Sequence, residues 1–208
     1  MTTLNKITII DYGMSNLDSI KRALEECGGN VSIVNRGEDL KGATHIVLPG
    51  VGAFSAGMKN LSRGNMLKYL NELVLEKKVP FLGICLGMQL LMKKGFEGGE
   101  TSGIGWIEGE TKQLQKQKDD ERLPHVGWNQ VSYKKESILF KDISENTDFY
   151  FVHSYHVVCP NNDNVIAYTN YCDGFVAAIQ KDNIFGVQFH PEKSQKVGFQ
   201  LLKNFISY

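Results

Sequence analysis

The chain has 208 residues, of which 42% are hydrophobic and 22% charged, with Lys plus Arg equal to Asp plus Glu at 23 each. That length supports a core of ordinary size and one domain, residues 1–208. The balanced charge excludes a global field that would gather nucleic acid or a membrane surface.

The N-terminal stretch MTTLNKITIIDYG holds only a short apolar run, which fits neither a signal peptide nor an anchor. No later stretch approaches the roughly 20 apolar residues of a membrane span. Within it, KITIID (6–11) reads as a buried strand. NLDSIKRALEECGG follows as an amphipathic helix, with Leu17, Ile20, Leu24 and Cys27 on one face and Gly28-Gly29 as its stop. VSIV (31–34) and THIVLPG (44–50) are the next strands, the latter running into the glycine-rich loop PGVGAF. Helical patterns fill Phe54 to Lys77 with a break near Gly64, and VPFLGIC (79–85) is a fourth strand, followed by helix formers in LGMQLLMKK. Strands that are nearly all apolar and alternate with helices predict a three-layer α/β fold: a largely parallel central sheet with helices on both faces.

The second half changes character. A glycine-rich loop, GFEGGETSGIGW, leads to short alternating runs, HVGWNQVSY, DFYFVHSYHVVC, NVIAYTNY, FVAAIQK and IFGVQF, which predict antiparallel additions to the sheet. KQLQKQKDDER reads as a solvated polar segment. SQKVGFQLLKNF closes the chain as a helix with Val197, Leu201, Leu202 and Phe205 inward. The cysteines, Cys27, Cys85, Cys159 and Cys172, form no C-x-x-C pair; such scatter fits reduced thiols in a cytoplasmic protein. Cys27 and Cys159 read as small buried hydrophobes.

Cys85 stands apart. Gly83-Ile84-Cys85-Leu86-Gly87 has the form G-x-nucleophile-x-G at a strand-to-helix corner. Such a turn lifts a nucleophile above the carboxyl edge of the sheet while its glycines permit close backbone approach. A helix N-terminus there favours developing negative charge, and the N–H of Leu86 is placed to donate to an oxyanion. A buried structural cysteine in a tight βα turn shares the local pattern. A nucleophilic thiol needs a base, and FGVQFHPEKS offers one: His190 closes a strand and Glu192, two residues on, can reach back to orient the ring. A surface turn holding one histidine and one glutamate is the plainer reading of that segment. His125, in LPHVGWN, remains a second candidate but lacks a following carboxylate. His45 reads as packing or surface. His153 and His156 have opposite strand parity, which argues against a shared metal site. PGVGAFSAG lacks the ending of a phosphate loop and the G-x-G-x-x-G spacing of a dinucleotide site. It is a candidate second oxyanion donor through the backbone at Val51 and Gly52, or a plain βα turn.

Taken together, IIDYGMSNLDSI, LPGVGAF, LGICLGMQLL, GGETSGIGWIEG, LPHVGWN, FYFVHSYHV and FGVQFHPEKS resemble, in order and over essentially the whole chain, the class I (triad-type) glutamine amidotransferases. The closest resemblance is to the glutaminase subunits of imidazole glycerol phosphate synthases. The resemblance implies hydrolysis of glutamine to glutamate and ammonia by Cys85, His190 and Glu192, with no cofactor and no metal. It also implies oxyanion donors at Leu86 and the Val51-Gly52 loop, and substrate contacts from Gln89 and the backbone of Ser154 and Tyr155. The implied partner is a (β/α)8-barrel cyclase that makes imidazole glycerol phosphate and AICAR in histidine biosynthesis, met by Asn16, Trp128, Tyr150 and Lys193. One departure stands out: the family pattern D-Y-G-x-G-N has Ser15 in place of its second glycine. A glycine there could serve a left-handed backbone, so the partner-facing loop is open to change. A paralogous branch, supplying ammonia for amidination of a bacterial surface sugar, stays open as the alternative acceptor.

Overall fold

A computed structural model describes residues 5–208; the first four residues of the N-terminal stretch lie outside the described residues. The first half alternates strand and helix: β1 (Lys6–Ile10), α1 (Leu17–Glu26), β2 (Asn30–Val34), β3 (His45–Gly50), α2 (Phe54–Leu61), α3 (Met66–Leu70) and β4 (Phe81–Cys85). A π-helical turn, Asn71–Glu76, extends α3. Gly64 adopts φ +59° and Asn65 φ +57° between α2 and α3, which is the break expected there. The elbow helix α4 is one turn, Leu86–Gln89, and the chain then enters β5 (Met92–Gly95) and β6 (Thr101–Ser102).

In the second half come β7 (Ile107–Gln113), β8 (His125–Tyr133), β9 (Thr147–His153), β10 (Tyr155–Val158), β11 (Val165–Thr169), β12 (Phe175–Lys181), β13 (Ile184–Val187) and α5 (Gln195–Ile206). Nine strands form the main sheet in the order β2-β1-β3-β4-β13-β12-β11-β8-β9. From β2 to β13 neighbours are parallel; from β13 to β9 they are antiparallel. A smaller sheet, β10-β7-β5-β6, covers part of one face.

Each face of the main sheet carries its own core. On one side α1 and α5 bury Ile20, Leu24, Leu201, Leu202 and Phe205 against Ile7, Ile9, Val47 and Phe185. On the other, α2 and α3 bury Phe54, Met58, Leu61 and Leu70 against Ile10, Ile46, Leu48 and Phe81. β1, β3 and β4 supply both cores, which is why their sequences are apolar at nearly every position.

Three sequence expectations change. LGMQLLMKK, expected to be helical, is helix only through Gln89. DFYFVHSYHVVC, expected to be one strand, breaks at Ser154 into β9 of the main sheet and β10 of the smaller one. Cys27 and Cys159 are half-buried rather than buried. In the DYGMSN loop Gly13, at φ +76°, takes the left-handed turn, and Ser15 is not among the positive-φ residues.

Candidate active site

Parallel pairing sets the site. β4 lies between β3 and β13, with Cys85 in register with Gly50 on one side and Ile84 with Val187 on the other. The carboxyl ends of these three strands therefore deliver Cys85, the loop after Gly50, and the segment Gln188–His190 to one edge of the sheet, where open α/β sheets bind ligands.

Cys85 has φ 54° and ψ −108° and caps α4. The elbow fits only because its flanking residues are glycines. A Cβ on Gly87 would collide with the Leu48 carbonyl oxygen, and one on Gly83 would lie 2.7 Å from the Gly87 carbonyl carbon and oxygen. The first amides of a helix have no intrahelical acceptor, so the Leu86 N–H beside the sulfur is available to a developing anion. The Val51 N–H is placed differently: it donates to the Met14 carbonyl at 2.6 Å. As the loop stands, that amide reaches an oxyanion only if its peptide turns. Gly52, at φ +109°, lies next to it and lines the same cavity.

His190 follows β13 after a two-residue bend, Gln188-Phe189. Its N–H donates to the Tyr150 carbonyl at 2.8 Å, and its carbonyl accepts the Ser194 hydroxyl at 2.7 Å. Pro191 opens a 3₁₀ turn, Pro191–Lys193, whose proline geometry suits a helical start. That turn folds Glu192 back so that Oε1 lies 2.8 Å from His190 Nδ1. Both side chains are nearly inaccessible, at 4% and 8%. The other nitrogen, Nε2, has no well-formed hydrogen bond among the described residues and faces the Cys85 thiol. Burial opposes charge on the ring, but the thiol and the Glu192 carboxylate outweigh it and raise the imidazole to about 10. The proton then belongs to the Cys85–His190 pair rather than to either residue.

A cavity of about 310 Å³ opens over the sulfur, lined by Cys85, Leu86, Gln89, Glu97, Val51 and Gly52, with Ser154 and Tyr155 across from them. That volume suits a ligand of amino-acid size, at the low end of the ~300–1,000 Å³ range of small-molecule sites. A larger cavity, about 730 Å³, lies around Lys134 to Lys141, at the far end of β8, and is lined by neither cysteine nor histidine. Gln89 Nε2 donates to the Tyr155 carbonyl at 2.8 Å and to Gln188 Oε1 at 3.1 Å. Gln188 in turn directs its Nε2 at Cys85 Sγ, 3.5 Å away. Sequence reasoning passed over Gln188, although it shares strand parity with His190. It also passed over Glu97, whose Oε2 accepts the Phe54 N–H at 2.8 Å; nothing in the glycine-rich loop around Glu97 signals its place.

Of the remaining candidates, His153 borders the same cavity as Cys85. His45 is buried edge-on to Phe205. His125 pairs with His153 rather than with Cys85. Among the described residues no group of three or more His, Cys, Asp or Glu gathers as a metal site. Trp128, 46% exposed, lies edge-on to Tyr150 at 5.9 Å, and Lys193 Nζ sits 5.8 Å from the centre of the Tyr150 ring. Asn16 is exposed at the start of α1, with no side-chain cap bond.

The model of the family "Glutamine amidotransferase class-I" matches residues 8–207. "Imidazole glycerol phosphate synthase subunit HisH 2" of Methanococcus maripaludis is 45% identical over 96% of this chain and 98% of its own length. "Imidazole glycerol phosphate synthase subunit HisH 1" of Campylobacter jejuni is 46% identical over the same shares. Among solved structures, that of PurLQS from Thermotoga maritima aligns with a TM-score of 0.75 at 19% identity, covering 99% of both chains, a likeness of fold. The chain belongs to the class-I glutamine amidotransferases.

Proposed function

We propose that this chain is the glutaminase subunit of an imidazole glycerol phosphate synthase, a single domain that hydrolyses glutamine and passes the ammonia to a cyclase subunit. The observation that carries the chemistry is Cys85 on its elbow, facing a buried His190 that Glu192 orients. Glutamine lies in the cavity with its side-chain carboxamide over the sulfur, and Glu97, Ser154 and Tyr155 surround its other end. His190 takes the thiol proton and the sulfur attacks the carboxamide carbon. The Leu86 N–H meets the oxyanion, joined by the Val51-Gly52 loop once it turns.

Collapse of the tetrahedral species requires a proton on the leaving nitrogen. Acylation removes the sulfur's charge, and with it a principal cause that holds the proton on His190, so the ring becomes more acidic when ammonia must leave. The same ring then activates water against the thioester, and glutamate departs. This route uses side chains and backbone alone.

The cyclase partner is supported by the relatives' names, which are those of synthase subunits; the same names favour this acceptor over the surface-sugar branch. Its (β/α)8-barrel form follows from the family resemblance. The docking surface we assign is Trp128, Tyr150 and Lys193, to which the family resemblance adds Asn16. Lys193 is the next residue after Glu192, and the Tyr150 carbonyl holds the His190 N–H, so a partner seated there presses on the triad. A cytoplasmic location is supported by scattered unpaired cysteines. No helix of the described residues is long and apolar enough to cross a membrane.

Glutamate release from glutamine tests the reading, for the chain alone and with a cyclase subunit and its nucleotide ligand, beside Cys85→Ala. Strong stimulation by the cyclase, lost in Cys85→Ala, is expected. Cys85-dependent release that ignores the cyclase would reassign the acceptor, and release that survives Cys85→Ala would remove the nucleophile.

A further inference from the structure

At the end of the β8–β9 hairpin nearest the cavity, His125 and His153 are a cross-strand pair in register. Both are buried, at 4% and 6% exposure, in an aromatic nest. His125 stacks on Tyr171 at 4.0 Å, and His153 lies edge-on to Phe175 at 4.7 Å. Phenylalanine would suit such surroundings better than imidazole, whose ring nitrogens need partners when buried. Here the partners are present and their directions are forced. His153 Nδ1 lies 2.9 Å from the Tyr155 carbonyl, which can only accept, so that nitrogen carries the proton. Burial keeps both rings neutral, pushing His125 down to about 4 and His153 to about 3. His153 Nε2 is therefore an acceptor, and His125 Nδ1, 3.3 Å away, must be its donor. His125 Nε2 is left to accept from Asn129 Nδ2 at 3.5 Å.

The chain ends on the peptide group that shapes the cavity rim. The Tyr155 carbonyl accepts from His153 and from Gln89, which fills both lone-pair directions. One residue earlier, the Ser154 carbonyl accepts the Leu114 N–H at 2.9 Å. In a trans peptide the Tyr155 N–H must then point away from β7. Without the His153 contact, the crossover from β9 to β10 has, among the described residues, a single side-chain tie, Gln89, and that side chain is itself shared with Gln188.

We infer that His125 and His153 are positioning residues for glutamine: a one-way hydrogen-bond chain from Asn129 through both imidazoles to the Tyr155 carbonyl sets the rim on which the substrate lies. The inference rests on the glutaminase reading. His153 borders the cavity, but neither ring hydrogen-bonds Cys85 or His190, so the chain acts on ground state and transition state alike, and its loss falls on KM rather than kcat.

The test is steady-state glutamate release by the full chain with the cyclase subunit and its nucleotide ligand, together with thermal midpoints. His153→Phe keeps the aromatic packing and removes both hydrogen bonds. His153→Asn loses the packing but places an amide N–H where Nδ1 stood. Positioning requires KM for glutamine to rise about tenfold in His153→Phe, with kcat within about twofold, and to return most of the way in His153→Asn. A packing role requires the opposite order, since Phe is the better filler. An unchanged KM in His153→Phe, or a KM that follows the thermal midpoint across the variants, would overturn the inference. If His153→Phe does not fold, His125→Phe, which preserves the stack on Tyr171, gives the decision: a raised KM supports the chain and an unchanged one overturns it. Wild-type release that does not depend on Cys85 sinks the glutaminase reading by itself. Calorimetric titration of glutamine into wild type and His153→Phe then still decides whether the rim is set by the histidines.

Discussion

Cys85 sits at φ 54°, a conformation that costs a residue with a side chain roughly 1–3 kcal/mol and persists only where its surroundings enforce it. The enforcement here is steric. α4 lies so close over β3 and β4 that Gly87 abuts the Leu48 carbonyl and Gly83 abuts the Gly87 peptide. Gly87→Ala must push α4 outward, carrying the Leu86 N–H away from the sulfur. It is expected to destabilise the fold by more than about 2 kcal/mol and to lower kcat/KM about a hundredfold. The urea midpoint and glutamate release read the two effects separately. Wild-type release from Gly87→Ala would show that the close approach serves packing alone. At this scale the candidate triad was legible, because G-x-C-x-G and H-P-E are local patterns whose spacing carries their geometry. Gln188 carried a signal too, two residues before His190, but a lone polar residue in an apolar strand offers no chemistry to read until Cys85 is seen beside it.

Among elements, those readable in the sequence had one apolar face, as α1 and α5 do, or an unbroken apolar run, as β4 and β12 do. The others lost to tertiary pairing. Leu90, Leu91 and Met92 are all fully buried, so the segment after the elbow has no polar face to stop a helix reading. Pairing of β5 with β7 and β6 decides its conformation instead. β7 itself, IEGETKQ, turns Gly109 and Thr111 inward where a strand reading looks for large apolar residues. The β8–β9 hairpin is the element with the most to do. Its outer side shows Val126, 57% exposed, and Trp128, while its inner side carries the histidine pair. An exposed tryptophan beside an aliphatic residue is the composition of an interface anchor. Trp128→Ala is expected to weaken binding of the cyclase by at least about tenfold, measured by calorimetric titration, and to leave the fold intact because the side chain is nearly half exposed. Undiminished affinity would move the docking surface elsewhere.

Across the whole molecule, the site lies where the parallel half of the sheet meets the antiparallel half, at β13, and every histidine but His45 belongs to the second half of the chain. Burial lowers His125 to about 4, His153 to about 3 and His156 to about 4, the last with a further push from Lys112. In the unfolded chain each titrates near ~6.5. Above that value both states are neutral and the stability is whole. Below it the unfolded chain binds protons that the folded chain refuses, so stability falls as pH falls, until the folded values near 4 and 3 are reached. Each ring adds a slope of about 1.4 kcal/mol per pH unit at most. His190 has the opposite sign, since its raised value favours folding below ~6.5 and loses that contribution as pH rises toward about 10. That contribution is complete below ~6.5, so it adds no slope in the more acidic range. The glutamates lowered by backbone N–H donors, Glu38 and Glu121, and by lysine partners, Glu72 and Glu110, act mainly around and below ~4.5, where unfolded glutamates protonate. The interval from ~6.5 to ~4.5 therefore belongs to the buried histidines. The thermal midpoint is expected to fall by several degrees across that interval. His125→Phe with His153→Phe is expected to flatten the fall, leaving His156 and His45 as the residual slope. An unchanged fall in the double variant would mean that these rings are charged in the folded protein, and a charged His153 could not accept from His125.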